Sequence, residues 1–416
     1  MTKPKPINLG PWPAGMNNIA PDYALPTSKY GRTIAVRNAV NVDVDDTGLL
    51  TRRNGFVKVY AGANTCAGFS CSIGTYFVEG SLLKKLNADN TAATLFTSVT
   101  GDEVTYEEFN GVVYFSDGVV TKKIHADNSV TEWGMDAPAA PVLSGIAGVF
   151  GPGAYIGAIT FVDAAGAESG ASEFRSVTLA ENAGVKFDSL PTSADPQVTK
   201  VRLYLSAPNG TTLYLAGEVA IGTLSYSISA GRYDNGQPLS LQFVSKPPPG
   251  RIVRHFRGRM YIADGKTIWY TEPGALDHVR LADNFYQFPD DVAVMEPVLG
   301  GVWIVADKTY FYPGTGPDDF TQQSLLDYGA LYGTAKRVPN SNDVMWYSDR
   351  GAVIATADGR IKNLQEENVA AEAGSSGAAL IRESNGVRQF IASVKNPVVS
   401  PLAAQSFLEM EVIRKS

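Results

Sequence analysis

Any reaction chemistry in this chain would have to come from three histidines, two cysteines and a few paired acids, and their spacing forms none of the usual constellations. His125, His255 and His278 each lack a second ligand at the interval a zinc site needs. His255 lies in the run Arg251-Ile-Val-Arg254-His255-Phe256-Arg257-Gly-Arg259, where a surface or packing role fits better than proton transfer. Cys66 and Cys71 have no companion Cys or nearby His, so they make no metal site. A disulfide between them is one reading; two reduced thiols in a strand region is the simpler one. The acids cluster as Asp43/Asp45/Asp46, Glu107/Glu108, Asp290/Asp291 and Asp318/Asp319. The first cluster alternates Asp and includes a Gly, which raises calcium, but the twelve-residue EF-hand pattern fails and solvated turn acids suffice. No P-loop, G-x-S-x-G or H-E-x-x-H occurs. The expectation is a protein that is not an enzyme, with no catalytic residue, cofactor or metal.

Charge points away from tight nucleic-acid binding. The chain carries 35 Lys or Arg against 42 Asp or Glu, a net charge of −7, whereas a protein gripping phosphates shows a basic excess. The one basic concentration is Lys246, Arg251, Arg254, Arg257, Arg259 and Arg280. It reads either as a docking patch for an acidic partner surface or a place of occasional contact with DNA phosphates, or as a strand edge held by ion pairs and protected by charge. Arg52 and Arg53 form a second, smaller pair. Arg52, Arg53, Arg254, Arg257 and Arg259 are the candidate subunit or partner contacts.

These residues must be positioned by a β framework. Forty-one Gly and 24 Pro, with many Val, Thr and Tyr, favour short strands and numerous turns. Tyr261, Trp303, Trp346 and Phe390 fall 42, 43 and 44 residues apart, each inside a short apolar run. Gly258-Arg-Met-Tyr261-Ile-Ala-Asp264-Gly265 is the clearest copy, and Gly111-Val-Val-Tyr114-Phe-Ser-Asp117-Gly118 matches it. That interval is the length of a four-stranded propeller blade. The repeats are expected at Tyr76, Tyr114, Tyr261, Trp303, Trp346 and, in degenerate form, Phe390. Ser116-Asp117-Gly118 and Ser348-Asp349-Arg-Gly351 only brush the S-x-D-x-G-x-T-W turn of sialidase-type propellers. The repeat aromatics are therefore expected to pack between blades and not to form sugar platforms.

The interval between Tyr114 and Tyr261 is too long for one blade, and two proline clusters, Pro138-Ala-Ala-Pro141 and Lys246-Pro-Pro-Pro249, lie inside it. Removing the residues between them restores the period. The excised segment has the length of a small β-sandwich. Its strands around Tyr155, Val201–Leu205 and Tyr214, with the Pro208-Asn209-Gly210 turn, resemble a fibronectin type III domain. Pro4, Pro6, Pro11, Pro13, Pro21 and Pro26 keep the first thirty residues extended, as an arm on another surface or as a disordered terminus. A hairpin follows through Asp43 and Gly48 to Arg52-Arg53. Helical periodicity is nearly absent; only 365–373 offers a short helix or a loop. The expected division is 1–60 arm and hairpin, 61–137 first propeller part, 138–246 inserted sandwich, and 247–416 second propeller part with a carboxyl-terminal segment. No run is long enough for a membrane helix, and no signal peptide is expected.

Gly15-Met16-Asn17-Asn18, Leu25-Pro26, Ala39-Val-Asn41-Val with Asp45-Asp46-Thr-Gly48, and Arg52-Arg53-Asn54-Gly55-Phe56 together resemble the opening of the tail tube nozzle proteins of short-tailed bacteriophages. This family is also called tail tubular protein B or packaged-DNA stabilisation protein. The likeness spans some 45 residues and gains from the propeller and the inserted fibronectin-like domain. It implies a hexameric virion ring below the portal and adaptor, bearing tail fibres or a spike. The ring would be assembled in the bacterial cytoplasm, retain packaged DNA and let it pass on ejection without binding it specifically. A second reading is a lectin-like propeller of the tail that recognises host glycan through Trp269 or Trp303; a propeller hydrolase ranks third.

Overall fold

The computed structural model describes residues 10–399, apart from 41, 45–46, 54, 56, 101–103, 231–235, 385–386 and 396–397. Asp45, Asp46, Asn41, Asn54 and Phe56 of the amino-terminal signature, and the Asn385-Gly386 start of the last repeat, lie outside those residues. The protein is all-β, an irregular β-propeller type built from successive four-stranded antiparallel blades with an inserted β-sandwich and an extended amino-terminal arm. Its only helical segment among the described residues is the single turn Asp22–Ala24; residues 365–371 form turns and loop. No helix among the described residues is long and apolar enough to cross a membrane. The chain packs as two compact units, residues 62–287 and residues 1–61 with 288–416.

In the first unit, the first blade comprises Thr65–Cys71, Gly74–Glu79, Leu82–Leu86 and Ala92–Phe96. The second comprises Thr105–Phe109, Val112–Ser116, Thr121–Ile124 and Val130–Glu132. The third comprises Ile252–Phe256, Arg259–Asp264, Thr267–Tyr270 and Phe285–Gln287. Each is a meander whose neighbouring strands are consecutive in sequence; short turns join the first three strands of each, and residues 271–284 form a longer loop before the last strand of the third. Asn110 and Gly111 both take positive φ in the two-residue turn that joins Phe109 to Val112, the geometry an Asn-Gly pair favours. The Asp that ends the repeat has a job at the next turn. One Asp117 carboxylate oxygen accepts from the amides of Val119 and Val120 at 2.9 and 2.6 Å, and the other from Thr100 N and Oγ1 at 2.7 and 3.0 Å. Burial pushes its pKa up, but these hydrogen bonds outweigh burial and hold it below the usual range.

Residues 142–228 form the inserted sandwich. One sheet orders Val142–Phe150, Ala183–Asp188 and Tyr226–Ile228; the other orders Arg175–Leu179, Gly153–Asp163, Val198–Ser206 and Leu213–Ala220. Strand alternation sends Tyr155, Ile159, Phe187, Leu203 and Leu205 into a closed core between the sheets. The insert does not interrupt blade packing. Tyr114 and Trp133 of the second blade pack with Val253, Met260 and Ile262 of the third, and Trp133 Nε1 donates to Leu276 O at 3.0 Å. The same loop pairs Asp277 with Lys123 at 2.9 Å and joins His278 Nε2 to Glu168 O of the insert at 2.6 Å.

The other unit holds a fourth blade, Val294–Val298, Gly301–Val305, Thr309–Pro313 and Gln323–Leu326. The fifth is Lys336–Arg337, Val344–Ser348, Gly351–Ala355 and Ile361–Asn363. Here the sixth repeat keeps its spacing but not its architecture. Phe390 sits on a two-stranded hairpin, Ser376–Ser384 with Val387–Lys395, and not on a four-stranded blade. Its interval is right, but no further strands among the described residues flank the pair.

Tyr76, Tyr114, Tyr261, Trp303 and Trp346 all occupy the third residue of the second strand of their blade, and all are buried. They are packing residues. Tyr76 joins Tyr106 and Phe115 in the core between the first and second blades. Trp303 and Trp346 face each other across the fourth and fifth, with ring centroids 6.0 Å apart. Equal spacing does not mean equal facing. Tyr114 packs toward the following blade, whereas Trp346 packs back onto the preceding one.

Candidate functional site

The chemistry-bearing residues singled out in the sequence are mostly engaged in holding the fold. His125 Nε2 meets Thr131 Oγ1 at 2.8 Å. His255 stacks on Phe109 at 3.8 Å and its Nε2 accepts from Gly258 N at 3.2 Å. Asp319 accepts the amides of Thr315 and Gly316, and Glu108 accepts the amide of Ser72. Cys66 and Cys71 are not joined in a disulfide. Among the described residues no group of three or more His, Cys, Asp or Glu converges as a metal cage would require.

The basic run on the third blade divides in the same way. Lys246 pairs with Asp136 at 2.8 Å, and Arg280 with Glu272 at 3.0 Å. Arg254 Nη1 donates to Val253 O at 2.7 Å and to Thr105 Oγ1 of the second blade at 3.3 Å. Arg259 Nη1 donates to Thr271 O at 2.7 Å, and its guanidinium lies over the Tyr270 ring. Arg254 thus links the second and third blades, and Arg259 bonds within the third. Arg257 is exposed, and it occupies the two-residue turn with Gly258 at φ 50°. A long side chain gains nothing there sterically, while Asn tolerates the left-handed region. Arg257→Asn is expected to leave the fold intact and raise its stability by about 0.5–1 kcal/mol, read as an increase in the denaturant midpoint; an equal loss would show that the guanidinium stabilises the blade.

The arm is where the signature residues converge. Asn17 is buried; its Nδ2 donates to Asn368 Oδ1 at 3.1 Å while its Oδ1 accepts from Ala20 N at 2.9 Å. Asn18 donates its amide to Asn368 O at 3.0 Å, and its Oδ1 accepts from Ala370 N at 2.8 Å. A side-chain amide has both a donor and an acceptor, so two consecutive Asn can tie an extended chain to the loop after the fifth blade. Met16 bridges Val36, which folds the arm back on itself. Gly48 has φ 79° and its amide-flanked carbonyl accepts from Trp12 N at 2.7 Å. A Cβ there would lie 2.4 Å from Pro13 N, so only glycine fits.

The hairpin Val42–Val44 with Leu50–Arg52 completes the anchor. Asp43 accepts from Arg53 Nε at 3.0 Å and from Arg382 Nη2 of the carboxyl-terminal hairpin at 2.6 Å. Burial raises the Asp43 pKa, but the hydrogen bonds and charges of Arg382 and Arg53 win and hold it below its ordinary 3.8. Of the paired arginines, Arg53 is thus an internal tie and Arg52 remains exposed. Asp43→Asn is expected to weaken arm docking by about 1–2 kcal/mol, measured as faster protease cleavage between residues 19 and 40. Because the folded carboxyl is depressed, its contribution is complete above the ordinary carboxylate value and disappears as pH falls through the lower folded one. Wild-type protection should therefore hold from pH 7 to 5 and decline below about 4, and the variant should lack that acid-dependent component.

No protein-family model and no curated protein matches this chain. Among solved structures, BBS1N in complex with ARL6DN aligns at 11% identity over 82% of this chain and 94% of that one, with a TM-score of 0.30. The AfRom2 CNH domain aligns at 8% identity over 79% and 93%, TM-score 0.25, and Porphyromonas gingivalis dipeptidyl peptidase 4 at 12% over 86% and 50%, TM-score 0.26. At these scores none of the three carries an argument about activity or partners, and the fold rests on the chain's own strand pairing: an all-β protein of successive four-stranded antiparallel blades.

Proposed function

We propose that this chain is a structural virion protein: a subunit of the distal nozzle of a short phage tail, a ring that continues the DNA channel, retains packaged DNA and lets it pass. The observation that carries this reading is the arm. Of the residues that bear the family resemblance, Asn17 and Asn18 dock the arm onto the loop following the fifth blade, while Gly48 and Arg53 hold the arm and its hairpin together internally. Their role is architectural, as an assembly protein requires. The blades support it from another side. Their repeat aromatics are buried between sheets, which makes a stiff wall and removes them as sugar platforms. A wall along which a polyanion must slide should not bind it, and the chain is acidic. Its action is mechanical, with six copies closing head to tail. Gold-labelled antibody to this chain is expected to mark the tail tip of purified particles. Labelling confined to peripheral fibres, together with glycan binding by the purified chain, would favour the lectin reading instead.

A further inference from the structure

The anchored arm turns an unusual surface to solvent. Tyr23 and Val57 are 86% exposed, Tyr30 83%, Val40 74%, Val59 62% and Leu49 53%. These six large apolar side chains lie within residues 10–61, whereas the rest of the described chain, several times longer, exposes twelve. Isolated exposed apolar residues are ordinary, but such a concentration on one short segment marks a contact surface. The segment also differs in charge. Residues 1–61 hold eight Lys or Arg and four Asp or Glu, while residues 62–416 hold 27 and 38. Lys29, Arg32, Arg52 and Lys58 stand exposed among the apolar side chains. A basic, apolar arm fits an acidic surface, and the remainder of this same chain is one.

We propose that the exposed face of the arm, built on Tyr23, Tyr30, Val57 and Val59 with Lys29 and Lys58, docks on the acidic body of a second copy of this chain. Asn17, Asn18 and Asp43 tie the arm to the loop and hairpin that follow the fifth blade, while Tyr23, Tyr30, Val57 and Val59 remain exposed. Arm and body are different patches, so the contact is heterologous. Such contacts propagate head to tail and end only by closing into a ring or by extending as a filament. This deepens the ring reading, and rests on it only for closure.

The test mixes unlabelled and ¹⁵N-labelled full-length chains and joins contacting amines and carboxylates with a carbodiimide. Cross-links from Lys29 or Lys58 to Asp or Glu beyond residue 61 are expected in mixed heavy–light pairs. Pairs found only within one isotope class, or a chain that stays monomeric at every concentration, would overturn the inference. A Lys29→Glu/Lys58→Glu variant and a separate Tyr30→Ser/Val57→Ser variant should each weaken self-association at least tenfold by sedimentation, with circular dichroism and thermal midpoint unchanged because the sites are exposed. Self-association equal to wild type in both would overturn it as well. Raising salt from about 50 to 500 mM should weaken the wild type, since exposed charge pairs are screened. A cross-link in whole particles from Lys29 to a different tail protein, without mixed-copy pairs, would leave the nozzle reading standing and remove this one.

Discussion

Trp303→Ala is expected to destabilise the fourth and fifth blades by about 3–5 kcal/mol, lowering the thermal midpoint and exposing their strands to hydrogen exchange together. Trp303 is fully buried, lies 4.5 Å from Phe311 and 6.0 Å from Trp346, and donates its indole N–H to Thr356 O at 3.1 Å. Its deletion removes a large volume from a core shared by two sheets, and neither sheet can close the gap alone. A finer comparison separates packing from hydrogen bonding. Trp346 Nε1 is buried with no acceptor among the described residues. Trp346→Phe therefore sheds an unsatisfied donor along with some volume, while Trp303→Phe removes the shorter of the two hydrogen bonds to Thr356 O, leaving Gly359 N at 3.3 Å. Trp303→Phe should be the more damaging of the two. Equal or reversed losses would mean that the indole of Trp303 contributes only its size.

The second large effect belongs to Trp133. Trp133→Ala is expected to cost about 3–5 kcal/mol and to loosen the second blade from the third, which residues 142–228 separate in sequence. Its ring packs on Tyr114 at 5.0 Å beside Val253, Met260 and Ile262, and its N–H holds the loop at Leu276. That loop also carries Asp277 to Lys123 and His278 to Glu168. Hydrogen exchange should show added exposure in Ile252–Phe256 and in 276–280, with the sandwich core around Phe187 unchanged. A loss confined to the second blade would show that the joint is held by the ion pair instead.

Legibility from sequence followed the physics of each element. Blades were readable because a four-stranded meander fixes the distance between equivalent strands, so Tyr114, Tyr261 and Trp303 kept their interval. The insert was readable because it broke that interval between two proline clusters. Facing was not readable. A strand has period two, so an interval of about 43 residues does not say which neighbouring sheet a given aromatic meets. Phe390 satisfied the spacing yet lies on a hairpin, since spacing alone does not require a first and a fourth strand. Trp133 was missed because it lies off the repeat, in the strand exit before the insert.

The candidate contacts divide along the same line. Arg254 and Arg259 were grouped with Arg257 by proximity in sequence, but two of the three have backbone carbonyl acceptors that only the fold creates. An Arg-Gly pair between two apolar runs can be read as a two-residue turn like Asn110-Gly111; Arg at positive φ is uncommon enough to hide it. The arm was legible as extended from its prolines. Its anchor was not, because Asn368 and Arg382 lie more than 330 residues away from their partners in the chain.

The central claim is that this chain acts by building a conduit. A symmetric cryo-EM reconstruction of the particle tail, with the blades and the inserted sandwich fitted into density, tests it most directly. The account predicts six copies around the channel axis at the distal end, each with residues 10–61 lying on its neighbour. A single peripheral copy per fibre, or no density for this fold along the axis, would contradict it.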